Sequence, residues 1–311
     1  VNQGLRSLYA AILLSIWVFT GCGSDGKKQG EPADTPVSGT IHINVDESFK
    51  PIVSELIKVY ESNQPDTHII PHYMPESDCI AGLWPDSIRM IITTKALSEG
   101  ERNFISDSIK VGTRQTAVAR DAVAVIVNPA SPDSVFTMQD IREILEGRFK
   151  KNLIPVFDGV KATGTVRFIV DSVLRGGKLT PQAVAARSSD SVLNYVAAVP
   201  GAVGFIGVSW IGNPDDEEQK SFLKKVKIAW IESSYTQGKY ILPVQANIYT
   251  KQYPMVRDLV YLLKEKHSGL GRGFANFMEG EIGQLIFRRA YLAPLLRDFS
   301  MRAIRLNESP Q

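Results

Sequence analysis

The chain has 311 residues, a formal net charge of +2, 44% hydrophobic and 22% charged residues. That length suits two domains with cores of their own. The near-neutral balance, without a basic block or an internal repeat, points away from nucleic acid as a partner.

The first residues read as an export signal. Arg6 precedes the apolar run Leu8-Tyr9-Ala10-Ala11-Ile12-Leu13-Leu14-Ser15-Ile16-Trp17-Val18-Phe19, and small residues follow in Thr20-Gly21-Cys22-Gly23-Ser24. The run is short for a membrane span, which takes about 20 residues. Phe19-Thr20-Gly21-Cys22 resembles a bacterial lipobox, with Phe19 where Leu is usual, and this implies lipidation of Cys22 after residues 1–22 have done their work. Ordinary cleavage near Gly21 and a signal anchor are the alternatives. Residues 23–38 are rich in Gly, Lys, Asp, Pro and Ser and read as a flexible tether. The chain has 2 cysteines, so lipidation of Cys22 leaves Cys79 without a disulfide partner, as a small buried residue.

Thr40 to Val45 alternates in the manner of a strand, and Asp46-Glu47-Ser48 leads into a helical pattern carried by Phe49, Ile52, Val53, Leu56, Ile57 and Tyr60. Pro51 belongs in a first turn, which places the helix start near Ser48. Thr67 to Tyr73 and Ile88 to Ile92 read as further strands, the second ending in Thr93-Thr94-Lys95, with a helix from about Ser98. Strand and helix in alternation argue for α/β layers, whose ligands lie beyond the carboxyl ends of strands. Two apolar runs, Val111 to Val118 and Ala122 to Val127, are broken by Ala119-Arg120-Asp121, a candidate crossing between domains.

Thr137-Met138-Gln139-Asp140 caps a helix closed by Gly147. Ser189-Asp190-Ser191 opens another, ended by Pro200-Gly201, and Ala202 to Gly207 reads as a strand. Pro214 to Lys220 reads as an exposed charged turn, and Tyr240 to Tyr249 as a second extended crossing. Three helices are expected in the tail, over 255–264, 271–278 and 282–290. Asp158-Gly159-Val160-Lys161-Ala162-Thr163-Gly164-Thr165-Val166-Arg167 follows a buried-strand pattern and turns helical. Thr163 is a candidate N-cap, and Gly164 lets a ligand approach the backbone. Free N–H groups and a partial positive charge make such a helix start a place for an anion.

Several segments, in this order, resemble the phosphate-binding lipoproteins of bacterial phosphate ABC transporters, a group with the type 2 periplasmic binding-protein fold. They are Ala122 to Pro129, Phe136 to Ile141 with Gly147, Val196 to Gly207, Tyr253-Pro254-Met255-Val256-Arg257, and Gly273 to Phe277 with Gly283-Gln284. The resemblance covers about residues 38–297. It implies an α/β, two-lobed periplasmic binding protein (type II) with a central cleft and two hinge crossings. Lobe I would take residues 39–118 and 246–311, and lobe II residues 119–245. The family's Ser-Gly-Thr turn falls on Thr163, Gly164 and Thr165. Its early hydroxyl falls on Ser48, for which a plain N-cap is the alternative role, and its later strand-end hydroxyl on Thr93 or Thr94.

Two family features are absent: an Arg just before the turn, where Gly159-Val160-Lys161 stands, and an acid after the strand-end hydroxyl, where Lys95 stands. Such an acid accepts the proton of hydrogen phosphate; Asp46 and Asp121 are candidates to replace it. Arg167 either reaches the anion or is a surface charge. The resemblance implies an extracytoplasmic lipoprotein, periplasmic or on the cell surface and held to a bacterial membrane by lipid. It would bind inorganic phosphate or another tetrahedral oxyanion, act as a monomer without a cofactor or catalysis, and serve a membrane permease. A sensor or scaffold with altered selectivity is the alternative. A phosphatase finds little support: of 4 histidines, only His68 and His72 have helical ligand spacing, and they lie in a strand pattern around Pro71. No Gly-x-Ser-x-Gly elbow or Walker-type loop is present.

Overall fold

The computed structural model describes residues 34–296 except 85–86, 160–162 and 214. The export signal, Cys22, the tether up to residue 33 and the Val160-Lys161 positions lie outside the described residues.

Residues 34–38, read as the end of the tether, are held to the body. Asp34 is buried and accepts from both terminal nitrogens of Arg89 at 2.8 Å and from the Leu270 N–H at 2.5 Å. A bidentate guanidinium contact of this kind fixes orientation as well as position. Next, β1 (Gly39–Asp46) buries Ile41, Ile43 and Val45 at alternate positions. A 3-10 turn, Glu47–Phe49, leads into α1 (Lys50–Asn63), with Pro51 in the first turn as expected. Asp46 caps this entry in place of Ser48: its Oδ1 accepts the Ser48 N–H at 2.9 Å. An aspartate two residues ahead of an N–H closes such a turn readily, which leaves the Ser48 hydroxyl for other partners.

The chain continues through β2 (Thr67–Met74), α2 (Glu76–Ala81), β3 (Ile88–Thr93) and α3 (Glu99–Ile109). Ser98 and Glu101 form a reciprocal capping box on α3. One long strand, β4 (Thr113–Val127), replaces the two runs suggested by the sequence. Arg120 and Asp121 do not interrupt it, because each side chain has an oppositely charged neighbour on the adjoining strand. Beyond it come β5 (Val135–Phe136), α4 (Met138–Glu146) and β6 (Ile154–Phe157). Thr137 and Asp140 box the start of α4, and Gly147, with φ of +73°, ends it.

After β6, α5 (Gly164–Phe168) starts on its cap Thr163 and passes into a π-helical turn, Ile169–Val173. Then follow β7 (Val184–Ala185), α6 (Ser189–Ala198) and β8 (Ala202–Gly207). The stretch read as a charged turn runs into α7 (Glu217–Leu223), whose Glu218 and Gln219 N–H groups are capped by Asp216. Two short strands, β9 (Lys227–Ile228) and β10 (Trp230–Glu232), precede β11 (Tyr240–Ile241). The supposed extended crossing is therefore strand only at its start, since α8 (Gln245–Tyr249) occupies its second half.

The largest correction is β12 (Val256–Lys264), a strand where the sequence suggested a helix. Its Leu259-Val260-Tyr261-Leu262-Leu263 run is buried throughout. A strand covered on both faces has no alternation, so pattern alone does not separate it from a helix. The predicted tail helices are α9 (Leu270–Glu279) and α10 (Glu281–Arg289), followed by β13 (Ala293–Pro294).

Two sheets share β4. The first runs β2-β1-β3-β12-β4, with β13 on β4; the second runs β4-β8-β6-β7, with β9 on β4. Residues 113–122 of β4 pair with β12, and residues 123–127 pair with β8. The changeover at Ala122 and Val123 is fixed by the Val123 N–H on the Met255 carbonyl, 2.8 Å, and by the Tyr253 hydroxyl on the Val123 carbonyl, 3.1 Å. A further small sheet runs β11-β10-β5. One apolar cluster runs through both large sheets, from Ile43, Leu56 and Phe274 to Phe157 and Phe205, and a second, with Ile126, Val192 and Ile206, packs by the second sheet. Burying each such side chain contributes roughly 1.5–3 kcal/mol. The carboxyl ends of β1, β3 and β6 consequently face one another across the line where β4 changes sheets.

Candidate functional site

Ser48, after β1, and Thr165, in the first turn of α5, meet with their hydroxyl oxygens 3.2 Å apart. Thr165 also accepts from Arg257 Nη1 at 3.2 Å. Arg257 stands on β12 directly opposite Asp121 on β4, and its Nε donates to Asp121 Oδ2 at 3.0 Å. Both side chains are buried at the changeover, with 2% and 0% exposure. Nη2 lies 2.9 Å from the same carboxylate oxygen but is not aligned to donate to it. It and Asp121 Oδ1 are buried polar atoms without a hydrogen-bond partner among the described residues. The guanidinium also lies 5.3 Å from the Phe49 ring centre. Across the line from β8, the Ser209 hydroxyl and Trp210 Nε1 donate to the Ser48 carbonyl at 3.2 and 3.0 Å.

Carboxylates fill the spaces between these donors. Asp46 bridges the sheets: one oxygen takes the Ser48 N–H and the other takes the Gly164 N–H, both at 2.9 Å. A Cβ at position 164 would lie 2.1 Å from Asp46 Oδ2 and 3.0 Å from Thr94, so only glycine admits this approach. Asp158, at the end of β6, accepts from the Thr163 and Ser189 hydroxyls, each at 3.0 Å. Glu76, at the start of α2, accepts from the Thr94 N–H and hydroxyl at 2.6 Å and from the Lys95 N–H at 2.8 Å. It also pairs with Arg167. Glu47 reaches the Ser189 N–H at the start of α6, at 3.4 Å.

Burial and the neighbouring Glu76 charge push the Asp46 carboxyl up to about 7. Burial and Asp158 push Glu47 up to about 7 as well. Asp121 and Asp158 are both raised by burial, against the pull of Arg257. Glu76 moves the other way: burial raises it, but the hydrogen bond and charge of Arg167 and the Thr94 donors outweigh that and hold it below the usual range. Near neutral pH this buried cluster therefore contains carboxyls close to their midpoint beside one that stays ionised.

Ser48, Thr163, Gly164 and Thr165 come together as the sequence suggested, with Thr163 as the cap: its hydroxyl accepts the Val166 N–H at 3.2 Å. Thr94 faces Gly164, whereas the Thr93 hydroxyl turns to the Lys95 carbonyl at 3.1 Å. Arg167 is neither a surface charge nor an open anion donor; it joins α5 to Glu76 and donates to Thr94 at 2.5 Å. Cys79 is buried and its thiol is raised by burial. The guanidinium that meets Thr165 belongs to Arg257, on a strand remote from Gly159. Reading 255–264 as a helix hid it, although the Tyr253-to-Arg257 motif contains it. Glu76 had no signal beyond Pro75 ahead of it, which gives a helix start and no role.

A model of the PBP superfamily domain matches residues 30–281. The phosphate-binding protein PstS of Borreliella burgdorferi is 21% identical over 253 residues, 76% of this chain and 83% of that protein. A putative phosphate ABC transporter substrate-binding protein from Clostridium perfringens, solved with bound phosphate, aligns with TM-score 0.66 and 17% identity over 83% of this chain and all (100%) of its own. An ABC-type phosphate transport receptor from Vibrio cholerae aligns with TM-score 0.61 and 20% identity, again over 83% and 100%. The fold is accordingly the α/β, two-lobed architecture of type II periplasmic binding proteins. With the match running through both sheets, the chain belongs to the PBP superfamily.

Proposed function

We propose that this chain is an extracytoplasmic solute-binding lipoprotein that closes its lobes on inorganic phosphate and passes it to the permease of an ABC transporter. The named relatives support the ligand class. The observation that carries the reading is the convergence, from both sides of the β4 changeover, of Ser48, the Gly164 N–H, Thr165 and a buried Arg257 that donates to Thr165. Hydroxyls, amides and one guanidinium around a tetrahedral anion give many charge-assisted hydrogen bonds at one point. Ser48, Thr94, Thr163, Gly164 and Thr165 are the proposed binding set, with Arg257 added. Thr93 and Arg167 take supporting places. Lobe I (39–118 with 246–311), lobe II (119–245), the anchor at Cys22, the monomeric state and the absence of turnover belong to the same reading.

The carboxylates favour a second reading, a sensor or scaffold of the same fold, because Asp46 already holds the Gly164 N–H. Titration calorimetry of the purified chain with phosphate, arsenate and sulfate at pH 5.5 and 8, alongside a phosphate-ester turnover assay, separates these. Saturable heat with phosphate and no turnover supports the carrier. Silence with every oxyanion supports the scaffold, and turnover overturns both.

A further inference from the structure

The Gly164 N–H, the backbone donor of the proposed site, is taken by a carboxylate from the opposite side. Asp46 Oδ2 sits 2.9 Å from it while Oδ1 holds Ser48 N–H, so one side chain spans from the end of β1 to the start of α5. The Thr94 and Lys95 N–H groups are likewise held by Glu76, and Ser189 N–H by Glu47. Amide donors around the cleft are thus filled by the protein's own acids. Beside them, Arg257 Nη2 is buried without a hydrogen-bond partner. A stand-in anion thus sits beside a guanidinium that is already paired with Asp121.

We propose that Asp46 is a resident occupant of the anion position, so that a tetrahedral oxyanion enters this cleft only along with a proton. The inference rests on the oxyanion-binding reading above. Two negative charges cannot share the Gly164 N–H in a site closed to water, so either Asp46 becomes neutral or the guest brings the proton. The groups facing Asp46 set this balance. Glu76 and Cys79 come from α2, Asp158 from the end of β6, Arg257 from β12, and the Thr94 hydroxyl from the end of β3. Burial, Glu76 and Asp158 disfavour its charge; Arg257 and the Ser48 N–H favour it. The net effect raises it to about 7.

The test is phosphate titration of wild type and Asp46→Asn at pH 8, in two buffers of different ionisation enthalpy, which counts protons taken up per ligand. Asparagine keeps the acceptor for the Ser48 N–H, and Asp46→Gly serves as a second variant should it fold poorly. Wild type is expected to take up one proton more per phosphate than the variant. Its affinity is expected to fall about tenfold more steeply per pH unit above pH 7, the slope of one linked proton. Binding by the variant but not by wild type at pH 8 also supports the proposal. Equal proton counts and equal slopes overturn it while leaving phosphate binding intact. Absence of binding in every protein from pH 5.5 to 8 overturns both this inference and the reading beneath it.

Discussion

Replacing Arg257 with Met tests the structural centre of the cleft. The change removes the donor at 3.0 Å to Asp121 and the one at 3.2 Å to Thr165, while keeping most of the side-chain volume beside Phe49. Asp121, with no exposure of its own, is left as an uncompensated buried charge. Breaking a buried pair in this way costs about 3–5 kcal/mol, and the lost Thr165 contact adds about 1 kcal/mol. Against a total stability of roughly 5–15 kcal/mol, that is a large fraction. The sign of the pH dependence follows from Asp121, whose carboxyl burial already raises. A carboxyl with a raised folded value destabilises the fold above that value, and the penalty disappears as pH falls toward the unfolded one. Urea unfolding followed by circular dichroism should therefore show a loss of about 4 kcal/mol at pH 7.5 and a clearly smaller loss at pH 5. Adding Asp121→Leu should recover most of it, because a well-packed apolar pair is often as stable as an ionic one. A loss under about 1 kcal/mol, or one that is the same at both pH values, would refute the reasoning.

Asp46→Asn should stabilise the protein at alkaline pH. A carboxyl with a value of about 7 in the fold and 3.8 unfolded removes on the order of 4 kcal/mol above pH 7, with the cost building as pH rises between the two values. Thermal melts at pH 5 and 8 should show a clearly larger advantage of the variant at pH 8 than at pH 5. Arg167→Ala should lower stability by about 2–3 kcal/mol, since buried Glu76 loses a charged donor. Glu76 is held below its usual range, so its contribution is present at neutral pH and fades on acidification, and unfolding titrations at pH 7 and 4 check this. Gly204→Ala should cost about 1–3 kcal/mol by overpacking, because its Cβ would lie 2.7 Å from Ile126, 2.8 Å from Val196 and 2.9 Å from Val192. Its melting temperature should fall without a change in phosphate affinity.

Local chemistry made much of the chain legible. The helix start at Ser98, the Thr137–Asp140 box, the Thr163 cap and the Ala202–Gly207 strand are short-range features, and each forms where the residues suggested. Long-range pairing was harder to see. β12 lies between β3 and β4, and its continuous apolar run carries no period that separates strand from helix. Losing that strand meant losing Arg257 and the pairing that makes β4 continuous. Asp46 was visible as a possible acid, but its hold on Gly164 joins positions far apart in the chain. Glu76 was invisible for the same reason: its partners Thr94 and Arg167 come from two other segments. Tertiary contacts decide such sites after local preferences have placed the helix ends.

The most direct measurement is the backbone amide spectrum of isotopically labelled protein during phosphate titration at pH 6. The Gly164 and Thr165 amide resonances, together with Arg257 Nε, should move saturably with one midpoint, and Asp46→Asn should retain those shifts at pH 8. Phosphate that binds while these three signals stay still, or that moves only signals remote from the β4 changeover, would contradict this site.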